Sequence, residues 1–230
     1  MNKDFKIGII VADIDEYKPL VKEIEKYCPQ KYDYFKNEGV KFNLQGTEVI
    51  CVHCGIGKVN AAAAAAVLSK ECDLILNFGL SGGISGVRKG EISFPDKYLE
   101  HDFDLTMIGY KPCEKPGQQY IYSADEKLLA LAKEILSGVS GTAVCGDRFI
   151  CNESERAFLK ENFNAVSCDM ETAAIASVCH FAKIPFIAIR RISDDAGDDA
   201  AQSYAEMNKN EGETLGQTFL KYLNFVCENY

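Results

Sequence analysis

The chain has 230 residues, 47% of them hydrophobic and 26% charged, enough apolar side chains to bury a sizeable core and unlike the composition of disordered chains. Against 25 Lys and Arg stand 34 Asp and Glu, a formal net charge of −9, so no general attraction to phosphate backbones or anionic membranes is expected. Nucleic acid and membrane are set aside as partners on this ground. The longest unbroken apolar run, Ala61 to Leu68, falls far short of the roughly 20 residues that span a bilayer. Lys3, Asp4, Lys6 and Asp13 interrupt the first hydrophobic stretch, so no secretory h-region is drawn there and a cytoplasmic location is expected. Ten cysteines are present, but Cys51, Cys72, Cys145, Cys168 and Cys179 sit within apolar runs and read as reduced, buried thiols.

In chain order, the β-branched run Phe5 to Ala12 predicts a strand buried on both faces of a sheet, and a helix from about Asp15 to Tyr27 follows, ended by Pro29. Residues Lys41 to Gln45 and Glu48 to His53 alternate about Gly46-Thr47 as an antiparallel hairpin. Asn60 is placed to cap an alanine-rich helix to about Lys70, and Leu74 to Asn77 is a buried strand ending in the Gly79 to Gly83 glycine cluster. Further strands are expected near Glu91 to Phe94, Gly141 to Cys145, Ala165 to Cys168 and Phe186 to Ile192. Helices are expected near Ala124 to Leu136, Glu153 to Glu161, Met170 to Phe181 and Glu211 to Glu228, and Gly109 to Gln119 reads as an exposed loop. This alternation predicts one α/β domain over residues 1–230, a three-layer sandwich with a central mixed sheet flanked by helices. Such folds bind ligands at the carboxyl ends of their strands.

The strand ends are acidic. Asp13, Asp15 and Glu16 follow the first strand, Asp169 and Glu171 the strand at Ala165, and Asp194 and Asp195 the last. Each acid taken singly reads equally well as a helix cap, worth about 0.3–1 kcal/mol. Three groups beside a glycine cluster on one rim point further. The turn after the first strand holds carboxylates where a dinucleotide fold needs glycines, so a Rossmann cofactor is disfavoured. Paired carboxylates suit a reaction that needs a base for water, an acid for a leaving group, and stabilisation of developing positive charge. Cleavage at an anomeric carbon has all three needs. Cys51 and Cys54 have a metal-like spacing, but residues three apart on a strand face opposite ways and no second pair exists, so neither metal nor cofactor is expected.

Six stretches then carry a resemblance: Lys6-Ile-Gly-Ile-Ile10 followed by Glu16, Gly55-Ile-Gly-Lys-Val59, Asn77-Phe-Gly79 with Gly82-Gly83, Gly146-Asp147 with Phe149-Ile150, Met170-Glu171-Thr-Ala, and Arg190 with Ile192-Ser193-Asp194. In this order and spacing the chain resembles, from about Lys6 to Asn224, the 5′-methylthioadenosine/S-adenosylhomocysteine nucleosidases of the purine nucleoside phosphorylase and uridine phosphorylase superfamily. The resemblance implies a nucleoside phosphorylase-like fold and hydrolysis of an adenine thionucleoside to adenine and a thioribose. It implies that Glu16 activates water and that Asp194 protonates the purine at N7. Glu171 would bind the ribose hydroxyls with Met170 against the sugar, Phe149 would stack on adenine, and the backbone of Ile150 would pair with its edge. Ser193, Leu80 and Ile56 would complete the substrate site, with Tyr204 by the ribose and alkylthio end. Leu105, Ile108 and Tyr110 would form a loop lent by a partner subunit, which implies a homodimer.

Water is favoured over phosphate as nucleophile, since no early Gly-Asp-Pro-x-Arg segment is present. Asp13, Leu80, Asp169 and Arg191 depart from the family pattern and leave the substrate open, with futalosine-type or other purine nucleosides as alternatives. A non-catalytic nucleoside-binding module is the reading from another class, and retention of Glu16, Glu171 and Asp194 argues against it. The acids after the first strand also suit a receiver domain, but the chain is too long for one.

Overall fold

β1 (Lys6–Val11) lies between two parallel neighbours, β4 (Thr47–His53) and β5 (Leu74–Gly83), which is why its run of Ile and Val has no polar side. The computed structural model describes residues 5–35, 37–210 and 212–230, without the side chains of residues 207–210 and 212–214. Beyond β4 the sheet continues antiparallel through β3 (Asn37–Leu44) to β2 (Gln30–Tyr34). On its other side β5 pairs antiparallel with β11 (Ala165–Asp169), which leads to β10 (Thr142–Cys145), β7 (Lys97–Glu100) and β8 (Ile121–Ser123). β12 (Phe186–Asp194) runs parallel to β5 and carries β6 (Ile92–Ser93), to which β9 (Gly138–Val139) is added. Twelve strands thus make one mixed sheet among the described residues.

Helices flank it. α1 (Ile14–Ile24), α3 (Glu126–Ile135) and α6 (Ala200–Asn210) pack on α7 (Gly212–Asn229), while α2 (Lys58–Leu68) packs on α5 (Thr172–Ala182), and α4 (Glu153–Phe163) lies against β10 and β11. Stacking of Phe78 on Phe219, centroids 4.1 Å apart, ties β5 to α7. No helix among the described residues is long and apolar enough to cross a membrane. The five cysteines of the apolar runs, Cys51, Cys72, Cys145, Cys168 and Cys179, are buried.

Several expectations change. The glycine cluster is not a turn: β5 continues to Gly83 because Gly79 to Gly82 pair with β12 and Gly82 and Gly83 with β11. α2 starts at Lys58 after Gly57, whose φ of 100° needs a glycine, and Asn60 donates back to the Ile56 carbonyl at 2.8 Å instead of capping. α1 stops at Ile24, with one 3₁₀ turn (Glu25–Tyr27) ended by left-handed Cys28 rather than by Pro29. α5 begins at Thr172, so Met170 precedes it and Glu171 sits at its N-cap position. The strand expected at Glu91 to Phe94 is only the two residues of β6. Short β2, β7, β8 and β9 and helix α6 carry no periodicity long enough to read. The expected start of the last helix, Glu211, lies outside the described residues. The 109–119 segment is an exposed loop, as expected, anchored by buried Cys113 and by Lys115 pairing with Glu100.

Candidate active site

The topology opens a gap in the sheet. β1 pairs with β5 only as far as Phe78, and β11 takes over that edge only at Gly82. Between them the β5 edge has no strand partner, and the free N–H of Leu80 donates to Glu16 Oε1 at 2.7 Å. Glu16 arrives there because Asp13, the N-cap of α1, accepts the N–H of Asp15 at 2.8 Å and sets the first helical turn directly above the end of β1. The gap deepens into a cleft of about 740 Å3, its open mouth included.

At one end of the cleft a guanidinium organises the carboxylates. Arg190, only 1% exposed, donates through Nη1 to the Leu80 carbonyl (3.1 Å) and through Nη2 to Asn77 Oδ1 (2.6 Å) and Glu171 Oε2 (3.4 Å), with Asp169 Oδ1 at 3.7 Å. Asn77 is oriented by its own bond to the Ile10 carbonyl, 2.9 Å. Glu171 Oε1 accepts the Gly57 N–H at 3.0 Å. Asp169 Oδ1 accepts the backbone N–H groups of Glu171 (2.9 Å) and Thr172 (2.8 Å), fixing the turn that carries Glu171. Glycine is required at 79, since a Cβ there would stand 2.5 Å from Arg190 Nη1 and 2.6 Å from Glu16 Oε2. Glu16 Oε2 itself is buried with no hydrogen-bond partner. Burial pushes the Glu16 carboxyl up to about 8 against the opposing pull of Arg190. Glu171 is raised by the same cause.

The other end is built differently. A register shift in β12 between Ile192 and Asp194 inserts Ser193, and both Ser193 and Asp194 line the cleft. Asp194 Oδ2 accepts from Ser193 Oγ at 2.6 Å and Oδ1 from the Ala196 N–H at 2.8 Å. Its carboxyl is raised mainly by burial, which outweighs these hydrogen bonds. Crowding by the exposed Asp195 raises it less than burial does. Asp15 is exposed too, and neither it nor Asp195 lines the cleft.

Between the ends lie Ile56, Leu80, Phe149, Ile150, Met170 and Tyr204. The Phe149 and Tyr204 rings meet edge to face at 5.8 Å, and the Tyr204 hydroxyl donates to Asp13 Oδ2 at 2.8 Å. All ten residues expected to form the catalytic and substrate site within this chain therefore border one cleft. Leu105, Ile108 and Tyr110 do not: they lie on a loop with a single 3₁₀ turn (Thr106–Ile108), Ile108 and Tyr110 exposed. Sequence reasoning named Asn77 only within a motif, and Asp13 and Asp169 only as rim acids and departures from the family pattern. The signal for Asn77 was present, a polar side chain ending an apolar buried strand, where an unpaired amide is costly.

Among solved structures the chain is similar to the 5′-methylthioadenosine/S-adenosylhomocysteine nucleosidase of S. pneumoniae with the transition-state inhibitor MT-ImmA, at 28% identity and TM-score 0.88 over 96% of this chain and 100% of that one. It is similar to S-adenosylhomocysteine nucleosidase from Streptococcus pyogenes in complex with 5-methylthiotubericidin, at 28% identity and TM-score 0.89 over 97% and 98%. The futalosine hydrolase of Helicobacter pylori shares the fold, at 24% identity and TM-score 0.89 over 97% and 99%. The family model of the phosphorylase superfamily matches residues 6–224, and the chain belongs to that superfamily.

Proposed function

We propose that this protein hydrolyses the N-glycosidic bond of adenine thionucleosides, 5′-methylthioadenosine and S-adenosylhomocysteine, releasing adenine and the thioribose. The observation that carries the reading is a pair of buried carboxylates, Glu16 and Asp194, that line one cleft, Glu16 from the first turn of α1 and Asp194 from the end of β12.

In this reading adenine lies against Phe149 with its edge toward the backbone of Ile150, and its N7 faces Asp194. As the C1′–N9 bond breaks, its electron pair passes to the purine and Asp194 delivers a proton to N7. The ribosyl cation is flanked by Glu171, which holds the sugar hydroxyls, and by Asp169 behind it. Water attacks C1′ and gives a proton to Glu16. Exchange with solvent then returns Asp194 to its acid form and Glu16 to its base form.

Charge favours water over phosphate. The cations lining the cleft, among the described residues, are Arg190 and Arg148, and Arg190 already serves Asp169 and Glu171 while Arg148 pairs with Glu155. A phosphate dianion entering beside Glu16 would meet carboxylates and no uncommitted guanidinium. The same logic disfavours a pure binding module, which has no use for an unpartnered Glu16 oxygen buried in the cleft wall. The exposed loop carrying Leu105, Ile108 and Tyr110 suits a partner subunit's cleft, and the active form is a cytoplasmic homodimer of a single-domain chain. The test is Glu16→Gln, which keeps the side chain's shape but accepts no proton: kcat should collapse while KM changes little. A variant with near-normal kcat removes Glu16 as the base.

A further inference from the structure

The base, the attacking water and the sugar hydroxyls account for Phe149, Ile150, Asp194, Glu16 and Glu171. Asp13 and Tyr204, polar lining residues hydrogen-bonded to each other, have no part in that account, and one part of a nucleoside remains, its 5′ arm. Asp13 lies one helical turn before Glu16, on the base's side of the cleft and away from Asp194. Its Oδ1 accepts the Asp15 N–H and its Oδ2 the Tyr204 hydroxyl, each at 2.8 Å, and a carboxylate has about four lone-pair sites, so each oxygen can take one more donor. Burial and the nearby Glu16 and Asp13 keep the Tyr204 phenol protonated, and with its hydrogen committed to Asp13 its oxygen is left as a further acceptor.

Carboxylates dominate the surroundings of this pair. Glu16 and Glu171 are close enough to act on Tyr204, and of the two guanidiniums in the cleft lining Arg190 is held on Asn77, Leu80, Glu171 and Asp169 while Arg148 pairs with Glu155. Resting on the nucleosidase reading, we propose that the Asp13–Tyr204 pair selects nucleosides whose 5′ arm carries a hydrogen-bond donor, ammonium or hydroxyl, over arms that are purely apolar or anionic. An alkylthio group alone leaves the Asp13 lone pairs desolvated and unmatched, which is costly. A 5′ carboxylate meets like charge.

The test compares four adenine nucleosides that differ only at the 5′ arm: 5′-amino-5′-deoxyadenosine, adenosine, 5′-methylthioadenosine and adenosine 5′-carboxylate. Adenine release gives kcat/KM for each, and calorimetry on Glu16→Gln gives their affinities independently of turnover. The expected order is amino, hydroxyl, methylthio, carboxylate, with the amino compound ahead of methylthio by roughly 10–100-fold, the usual worth of a hydrogen bond to a charged group. Asp13→Asn keeps one oxygen for the helix cap, turns its amide NH2 toward the Tyr204 hydroxyl as a donor and removes the charge, and should cut the amino preference by about tenfold. Asp13→Leu should put the methylthio compound first. If the four bind in the expected order and none is cleaved, the hydrolase reading falls and this inference stands. If they are cleaved with equal efficiency, or methylthio leads in the unmodified protein, the inference falls and the hydrolase reading stands. Failure of all four to bind overturns both.

Discussion

The two ends of the cleft hold the same functional group in opposite settings. At the Glu16 end a fully buried guanidinium faces three carboxylates, so the base is pulled toward ionisation by Arg190 while burial pulls it back. At the Asp194 end the partners are one hydroxyl and one backbone N–H, with no arginine, and burial leaves the carboxyl raised. Both carboxyls are raised by burial, and what separates the two ends is a buried cation that opposes the shift at Glu16 and has no buried counterpart at Asp194.

Removing either partner breaks this division most severely. Asp194→Asn should cost on the order of 10²–10⁴-fold in kcat, the usual worth of general acid catalysis, with the loss measured by adenine release. Substrates with an activated leaving group should be spared at this end but not by Glu16→Gln, and equal losses for both would dissolve the distinction between the ends.

The pH behaviour sharpens it next. Glu16 is raised from its ordinary 4.5 to about 8, so the fold favours its neutral form. Its contribution to stability is complete below the unfolded value and is lost as pH rises through the folded one. Glu16→Gln, which cannot ionise, should therefore gain on the unmodified protein between pH 5 and pH 9 by a few kcal/mol, read from thermal melts at the two pH values. The kcat/KM of the unmodified protein should rise with pH to an inflection near 8 as the base ionises. A flat profile from pH 6 to 9 would contradict the assignment.

Glycine-to-alanine changes compare the ends sterically. A Cβ at Gly79 would meet Arg190 and Glu16 at 2.5 and 2.6 Å, whereas at Gly82 it would meet Cys168 Sγ at 3.0 Å and Asp194 Oδ1 at 3.1 Å. Gly79→Ala should destabilise by about 1–3 kcal/mol and abolish activity, with Gly82→Ala milder in both, measured by denaturant titration and turnover. The smallest effect belongs to Ser193→Ala. Losing the bond to Asp194 Oδ2 removes an influence that lowers that carboxyl, so the alkaline limb of kcat should move up by roughly one pH unit or less.

The long apolar strands β1, β5 and β12 were legible because their burial on both faces leaves uninterrupted Ile, Val and Leu. Capped α3 and α4 were legible for a different reason: Asp125 and Asn152 stand immediately before amphipathic runs and accept the N–H of Leu128 and Glu155. What the sequence hid was the continuation of β5 through three glycines. Glycine usually marks a turn, and only the tertiary neighbours Arg190, Glu16, Cys168 and Asp194, which need the missing Cβ volume, explain the exception. The acidic rim was readable residue by residue, but its organiser was not. Arg190 looked like one more position in a motif, and its role follows only from β12 being threaded beside β5 so that it reaches Asn77, Asp169 and Glu171 together. Asp13, conspicuous as a departure, acquires a partner only when α6 brings Tyr204 across the cleft.

The central claim is hydrolysis by two carboxylates without phosphate or metal. Its most direct test is product analysis after incubation with 5′-methylthioadenosine in phosphate-free buffer containing a chelator, beside a sample with added phosphate. The account predicts adenine and free methylthioribose in equal amounts and at the same rate in both. Cleavage only when phosphate is present, with methylthioribose 1-phosphate as product, or activity lost to the chelator, would contradict it.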